Sequence, residues 1–277
     1  MIKDKKDVFY PDYDALKAEM DEDEAKLLFT VKNFDGLVVK KVFKSPSKGF
    51  NRFHWDLRYE VTNPINLSSS SFYNPFAGVS EGTLVEPGTY TVQMDYFVDG
   101  ESRPLVDAKE FTVTLLDNTV LPAEDKEAKV RFQRDVATLQ GEISSYSRIL
   151  SEISDKIKYF EVAVLRLEKP IEELSSQMKK VKDDLRDINI LFYGDNVKRR
   201  LDMQQIPTPS SRVGIIANEQ KYSTASPTGT HVNSLKIAKE EFVPLKSRVD
   251  MLVENVKSIE DKMKSLGAPY TPGRYEN

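Results

Sequence analysis

The chain holds two histidines, His54 and His231, far apart in sequence. A histidine proton relay or a two-histidine metal site would require the fold to bring them together. There is no cysteine, which removes disulfides, thiolate nucleophiles and thiolate metal ligands at once. Carboxylates are plentiful, and a pair such as Asp56 and Asp95 could in principle act as acid and base. Glycosidase pairs, however, work at a set separation across a cleft, and nothing in the sequence marks a cleft. The acidic run Asp21-Glu22-Asp23-Glu24 lacks the alternating oxygen ligands and turn glycine of a calcium loop, so it reads as a solvated charge run. No glycine-rich phosphate loop or zinc-ligand spacing occurs. These residues lead to the expectation of a chain that is not an enzyme and carries neither cofactor nor metal.

Aromatic side chains offer a different chemistry, that of stacking and contact. Trp55 stands beside Phe53 and Leu57 in an alternating run, which suits a core pin better than a sugar platform. Phe72, Tyr73 and Phe76 follow Ser68-Ser69-Ser70-Ser71 within a long stretch between Val61 and Glu86. A loop of that length in a compact domain is functional, disordered or folded back onto the sheet. If any residues contact a ligand or partner, these three are the candidates.

The elements that must position these residues read in two periods. Lys26 to Lys32 and Leu37 to Phe43 are strand candidates joined by the turn Asn33-Phe34-Asp35-Gly36. Phe53, Trp55, Leu57 and Tyr59 alternate with Arg52, His54, Asp56 and Arg58, which predicts a half-buried strand with His54 on its solvent face. Pro87-Gly88 turns the chain into a strand from Thr89 to Val98, and Phe111, Val113 and Leu115 mark a last one. Five or more short antiparallel strands argue for an Ig-like β-sandwich over 26–120, after an N-terminal extension of 1–25.

From Ala123 the apolar spacing becomes three and four. Phe132, Val136, Leu139, Ile143, Tyr146, Leu150, Ile153, Ile157, Phe160, Val164 and Leu167 form one stripe, which Ile171 through Phe192 continue in phase. Such a stripe is the seam of a coiled coil. Lys169-Pro170 interrupts it, so 123–192 is a long helix or helix pair: two helices, or one kinked helix. Residues 193–228, with Pro207, Pro209, Gly214 and Pro227, read as an irregular crossing segment. A returning helix follows over 229–266, about 50 Å long, with Leu235 to Leu266 at the same spacing and Pro244 as a kink site. Residues 267–277 form a tail. The expected fold class is α+β and multidomain, an antiparallel Ig-like β-sandwich followed by a long antiparallel coiled-coil helical bundle that buries its own seams.

Composition agrees with two domains and restricts partners. The 277 residues are 39% hydrophobic and 30% charged, with a net charge of -4. That balance leaves no basic footprint for nucleic acid, and no apolar run approaches the ~18 residues of a membrane span. The opening Met1-Ile2-Lys3-Asp4-Lys5-Lys6-Asp7 is too charged for a signal peptide. The chain is either cytoplasmic or a fragment whose export signal lies elsewhere.

Four stretches together resemble the C-terminal region of large secreted bacterial proteins, of the Bacteroidetes kind, that carry sortilin-like or neuraminidase-repeat propellers and are called glycosyl hydrolases. Gly49-Phe50-Asn51-Arg52-Phe53-His54-Trp55-Asp56-Leu57-Arg58-Tyr59 is similar to their "GxNRxxWDLRY" strand. Val85-Glu86-Pro87-Gly88-Thr89-Tyr90-Thr91-Val92 is similar to their "xxPGTYTV" strand. Ser226-Pro227-Thr228 matches a motif before their last helix, and Gly267-Ala268-Pro269-Tyr270-Thr271-Pro272-Gly273-Arg274 their closing motif. The resemblance spans about 26–274. It implies a secreted or periplasmic setting and an accessory role beside a preceding propeller domain, with a protein or carbohydrate partner. The propeller itself, and its Ser-x-Asp-x-Gly-x-x-Trp box, have no counterpart here, so no family active-site residue carries over.

Overall fold

The computed structural model describes residues 10–67, 81–116, 121–168 and 171–273. These form an α+β protein with one four-stranded antiparallel sheet and six helices among the described residues. The chain divides into a sheet unit, Met1–Glu60 with Leu84–Asp117, and a helical unit, Val61–Thr83 with Asn118–Asn277. The described residues 61–67 and 81–83 therefore group with the helices.

In the sheet unit, helix α1 (Tyr13–Asp21) precedes strands β1 (Lys26–Asn33), β2 (Val38–Lys44), β3 (Gly88–Val98) and β4 (Glu101–Val113), which lie in the order β2-β1-β3-β4. The β1–β2 turn closes on Asn33, whose side-chain oxygen accepts the Leu37 amide at 2.9 Å, and Gly36 supplies the left-handed φ of 78°. Asp99 and Gly100 have φ of 50° and 76°. Two consecutive left-handed residues turn β3 tightly into β4.

Register puts Phe29 opposite Met94 and Val31 opposite Val92, with Tyr90 opposite Phe111. That face is covered by the segment around Trp55. Phe53 stacks on Phe29 at 4.3 Å, and Trp55 packs against Tyr90 at 5.4 Å and Phe111 at 5.9 Å. The predicted strand over 53–59 does not join the ladder: only Arg58 bridges Leu84, and Leu57 has a left-handed φ of 58°. An aromatic segment lying across a sheet face has the same in-out alternation as a strand within it, so the pattern alone does not separate the two. The Tyr90 hydroxyl, almost fully buried, donates to the Glu86 carbonyl at 2.7 Å. The Tyr59 hydroxyl donates to the Glu86 carboxylate at 2.7 Å.

The helical unit contains α2 (Lys126–Val164), α3 (Glu172–Tyr193), α4 (Asn196–Arg200), α5 (Pro209–Gln220) and α6 (Gly229–Ser265). Asp125 caps α2 by accepting the Ala128 amide at 2.8 Å. Thr208 caps α5, with Pro209 at its first position, and Thr228 with His231 forms a reciprocal capping box on α6. The apolar stripes meet in one core that runs from Val136 to Val164, Leu174 to Phe192 and Leu235 to Met263. At its middle, Phe242 meets Tyr146 at 5.6 Å and Phe192 at 5.8 Å, both edge to face.

Ion pairs give the helix directions. Lys182 reaches Glu161 at 2.6 Å and Ser147 meets Tyr193, so α3 descends along α2. Gln133 donates to the Gln220 carbonyl at 2.8 Å and Lys129 to the Ser223 carbonyl, so α5 continues the descent. Along α6 the partners rise together with α2: Asp135 with Lys239, Glu142 with Lys246, and Lys156 with Glu260, each pair 104 residues apart. Helix α6 is thus parallel to α2 but antiparallel to α3 and α5, where Glu173 meets Lys262 and Arg212 meets Glu241. The expected antiparallel return holds against those two helices and not against α2. The cause lies in the segment read as irregular. With 22 residues in α3 and 12 in α5, the descent is about 51 Å of helix at ~1.5 Å per residue. This nearly matches the 39 residues of α2, so the chain is back at the start of α2 when α6 begins. Helix α5 escaped the sequence reading because its stripe is short, Val213 and Ile216 with the polar Gln220. Helix α6 runs through Pro244 without interruption.

Candidate functional site

Phe72, Tyr73 and Phe76 lie outside the described residues, but both flanks of their loop are placed, and both bond to the helices of their own unit. On the leading side, the Thr62 hydroxyl donates to the Ala137 carbonyl of α2 at 2.6 Å. Three residues on, the Ile65 carbonyl accepts a guanidinium proton from Arg148 at 2.7 Å. Between these two anchors α2 presents Gly141, and a Cβ there would overlap the Thr62 carbonyl. Glycine costs a helix interior up to ~1 kcal/mol relative to alanine; here it lets the backbone of 61–65 lie directly on the helix. On the trailing side, Glu81 pairs with Lys221, just beyond α5, at 3.4 Å.

Residues 61–67 therefore form a strap held by backbone and hydroxyl contacts, with Val61 and Pro64 half-buried and Ile65 and Leu67 turned outward. Ile65 is 81% exposed and Leu67 92% exposed. Such an arrangement offers an apolar surface beside a guanidinium, which is suited to recognition. Sequence reasoning named the aromatic loop but missed Thr62, Gly141 and Arg148. The only signal for them was a glycine inside a helical pattern.

The other candidates fall into separate settings. His54 is exposed in the sheet unit. His231 is a capping residue: its Nδ1 accepts the Thr228 amide at 3.3 Å and faces the Gln220 amide at 3.1 Å, and its Nε2 lies 2.6 Å from Glu219. With Nδ1 accepting, the ring proton sits on Nε2 and is donated to Glu219, so His231 ties α5 to the start of α6. Asp56 is exposed and accepts the Arg58 amide at 3.2 Å. Asp95 is buried and accepts from the Gln93 amide at 2.8 Å; it pairs with Leu28, on the sheet face opposite Tyr90. The two carboxylates do not share a cleft. Among the described residues, no three His, Asp or Glu side chains gather to hold a metal ion, and no helix is long and apolar enough to cross a membrane. No protein-family model, curated protein or solved structure matches this chain.

Proposed function

We propose that this chain is a non-catalytic interaction and scaffolding module, in which the helical unit is a stiff arm that carries a recognition loop. The observation behind this reading is the ladder Asp135–Lys239, Glu142–Lys246 and Lys156–Glu260. Its rungs sit seven and fourteen residues apart, the heptad interval of a coiled coil. Taken as pairs between g and e positions of parallel helices, they set Ile143 level with Phe242 and Leu150 level with Val249, all buried. A seam consumed in this way stiffens the arm and leaves the loop mounted on α2 and α5 for recognition.

For the sheet unit we propose an Ig-like sandwich related to that of cell-surface domains. The Tyr90 hydroxyl bonded to a carbonyl four residues upstream, beside a packed tryptophan, is the kind of corner such domains carry. We further propose, from the resemblance in Gly49–Tyr59 and Gly267–Arg274, that the module is the C-terminal accessory region of a secreted or periplasmic sortilin-like propeller protein and meets its propeller or another protein.

Replacing residues 68–80 by a Gly/Ser linker of equal length tests the reading while keeping Thr62, Ile65 and Glu81 in place. The expected result is loss of a specific protein partner in affinity capture, with helicity unchanged. Binding on a glycan array that is lost in Tyr73→Ala would instead make the loop a carbohydrate site. Turnover of a glycoside or peptide, abolished by Asp56→Asn or Asp95→Asn, would overturn the non-catalytic assignment.

A further inference from the structure

Helix α1 is well formed but lightly seated: of its side chains only Leu16 is as much as half-buried. Asp12 caps it by accepting the Ala15 amide at 2.8 Å, yet none of its side chains is buried. Tyr13, Leu16 and Met20 recur at three and four and so share one stripe, of which Tyr13 is 77% and Met20 86% exposed. Its nine residues are fewer than the roughly 12–15 at which a helix begins to hold itself in water. A stripe this short is stable only on another surface. Around the stripe, residues 10–24 carry Asp12, Asp14, Glu19, Asp21, Glu22, Asp23 and Glu24 against Lys17 alone, seven acids and one base for a net of -6.

The same unit carries the complement. Residues 37–52 hold Lys40, Lys41, Lys44, Lys48 and Arg52 and no acid, a net of +5. Strand β2 is the outermost strand on its side of the sheet, and Val38 and Phe43 are each 52% exposed, with Phe50 at 93%. Lys40 is engaged by Glu60 at 3.2 Å and Lys44 by the Arg52 carbonyl at 2.6 Å, while Lys41, Lys48 and the Arg52 side chain are exposed. Within the chain, the Asp23 amide donates to the Asp99 carboxylate at the β3–β4 turn at 3.2 Å, and along α1 only Leu16 is as much as half-buried.

We infer that α1 docks on the β2 edge of a second copy of this chain, its Tyr13, Leu16 and Met20 stripe against Val38, Phe43 and Phe50, and its acids against Lys41, Lys48 and Arg52. Two copies satisfy both surfaces reciprocally, which closes the contact as a two-fold dimer. Attraction between exposed charges is screened by salt, so the dimer weakens as ionic strength rises.

Light scattering across a concentration series at low and high salt tests this directly. The expected result is a dimer that dissociates with salt. Charge reversal at Asp14→Lys with Glu19→Lys, or at Lys41→Glu with Lys48→Glu, weakens it at least tenfold. Mixing the two reversed proteins restores pairing as a heterodimer, because each cross-contact then sets opposite charges together, whereas each variant alone sets like charges together. Combining all four reversals in one chain restores opposite signs and the dimer. Circular dichroism confirms that each variant is folded. A monomer at every concentration overturns the inference. So does a dimer indifferent to both reversals, a four-fold variant that stays monomeric, or a monomer in which the reversals alter only thermal stability, since α1 then docks within its own chain.

Discussion

The hydroxyl of Thr62 donates to the carbonyl of Ala137 at 2.6 Å, one turn before Gly141 on α2. A side chain at Gly141 would begin where the Thr62 carbonyl lies. In an exposed helix, glycine to alanine raises stability by up to ~1 kcal/mol. Here Gly141→Ala is expected to do the reverse, lowering it by about 1–3 kcal/mol, because the obstacle is backbone and the strap has to lift. Urea denaturation with limited proteolysis of residues 61–67 reads the effect. A stabilised Gly141→Ala protein with an intact strap would show that the seat is not occupied.

Tyr90 supplies a pH-dependent test of the sheet unit. Burial, with the negative Glu86 nearby, raises its pKa from 10.0 to about 12. The fold favours the neutral phenol, so this stability is present in full below about pH 10, the unfolded value, and is lost as pH climbs towards 12. The loss is on the order of 2 kcal/mol. Tyr90→Phe cannot ionise and lacks that slope, while losing about 0.5–1.5 kcal/mol at neutral pH with the bond to Glu86. Denaturation midpoints of both proteins at pH 9 and pH 11 decide it: equal slopes would remove Tyr90 from the account.

The parallel course of α6 along α2 is testable through its rungs. Lys246→Glu opposite Glu142 places like charges together and is expected to cost about 0.5–1 kcal/mol, as is Glu142→Lys opposite Lys246. The double exchange restores opposite signs and should recover most of the loss, more so at low salt. Thermal melting of the four proteins forms a double-mutant cycle. An additive double variant would mean that the two residues are not neighbours, and α6 would then not run in this register.

Much of the architecture was legible in the residues. The three-and-four spacing of Val136 to Val164 and of Leu235 to Met263 marked helices because burying a stripe requires that period. Asn33 to Gly36 and Asp99-Gly100 marked hairpins because only certain residues accept left-handed backbone. The segment Phe53 to Tyr59 was misread as a strand, since an aromatic cover over a sheet and a strand in it alternate alike. Helix α5 was passed over because two apolar residues and a glutamine make too little stripe to see.

What the chain determined by itself was therefore local: where the backbone turns, which helical faces are greasy, and that its histidines are few and its cysteines absent. Only the tertiary structure decided direction and seating. Helix α6 rises beside α2 because α3 and α5 together use up the length of the descent, a sum no single segment reveals. Gly141 matters because Thr62, far away in sequence, comes to rest on it. Periodicity records which side of an element avoids water, but not which neighbour does the covering.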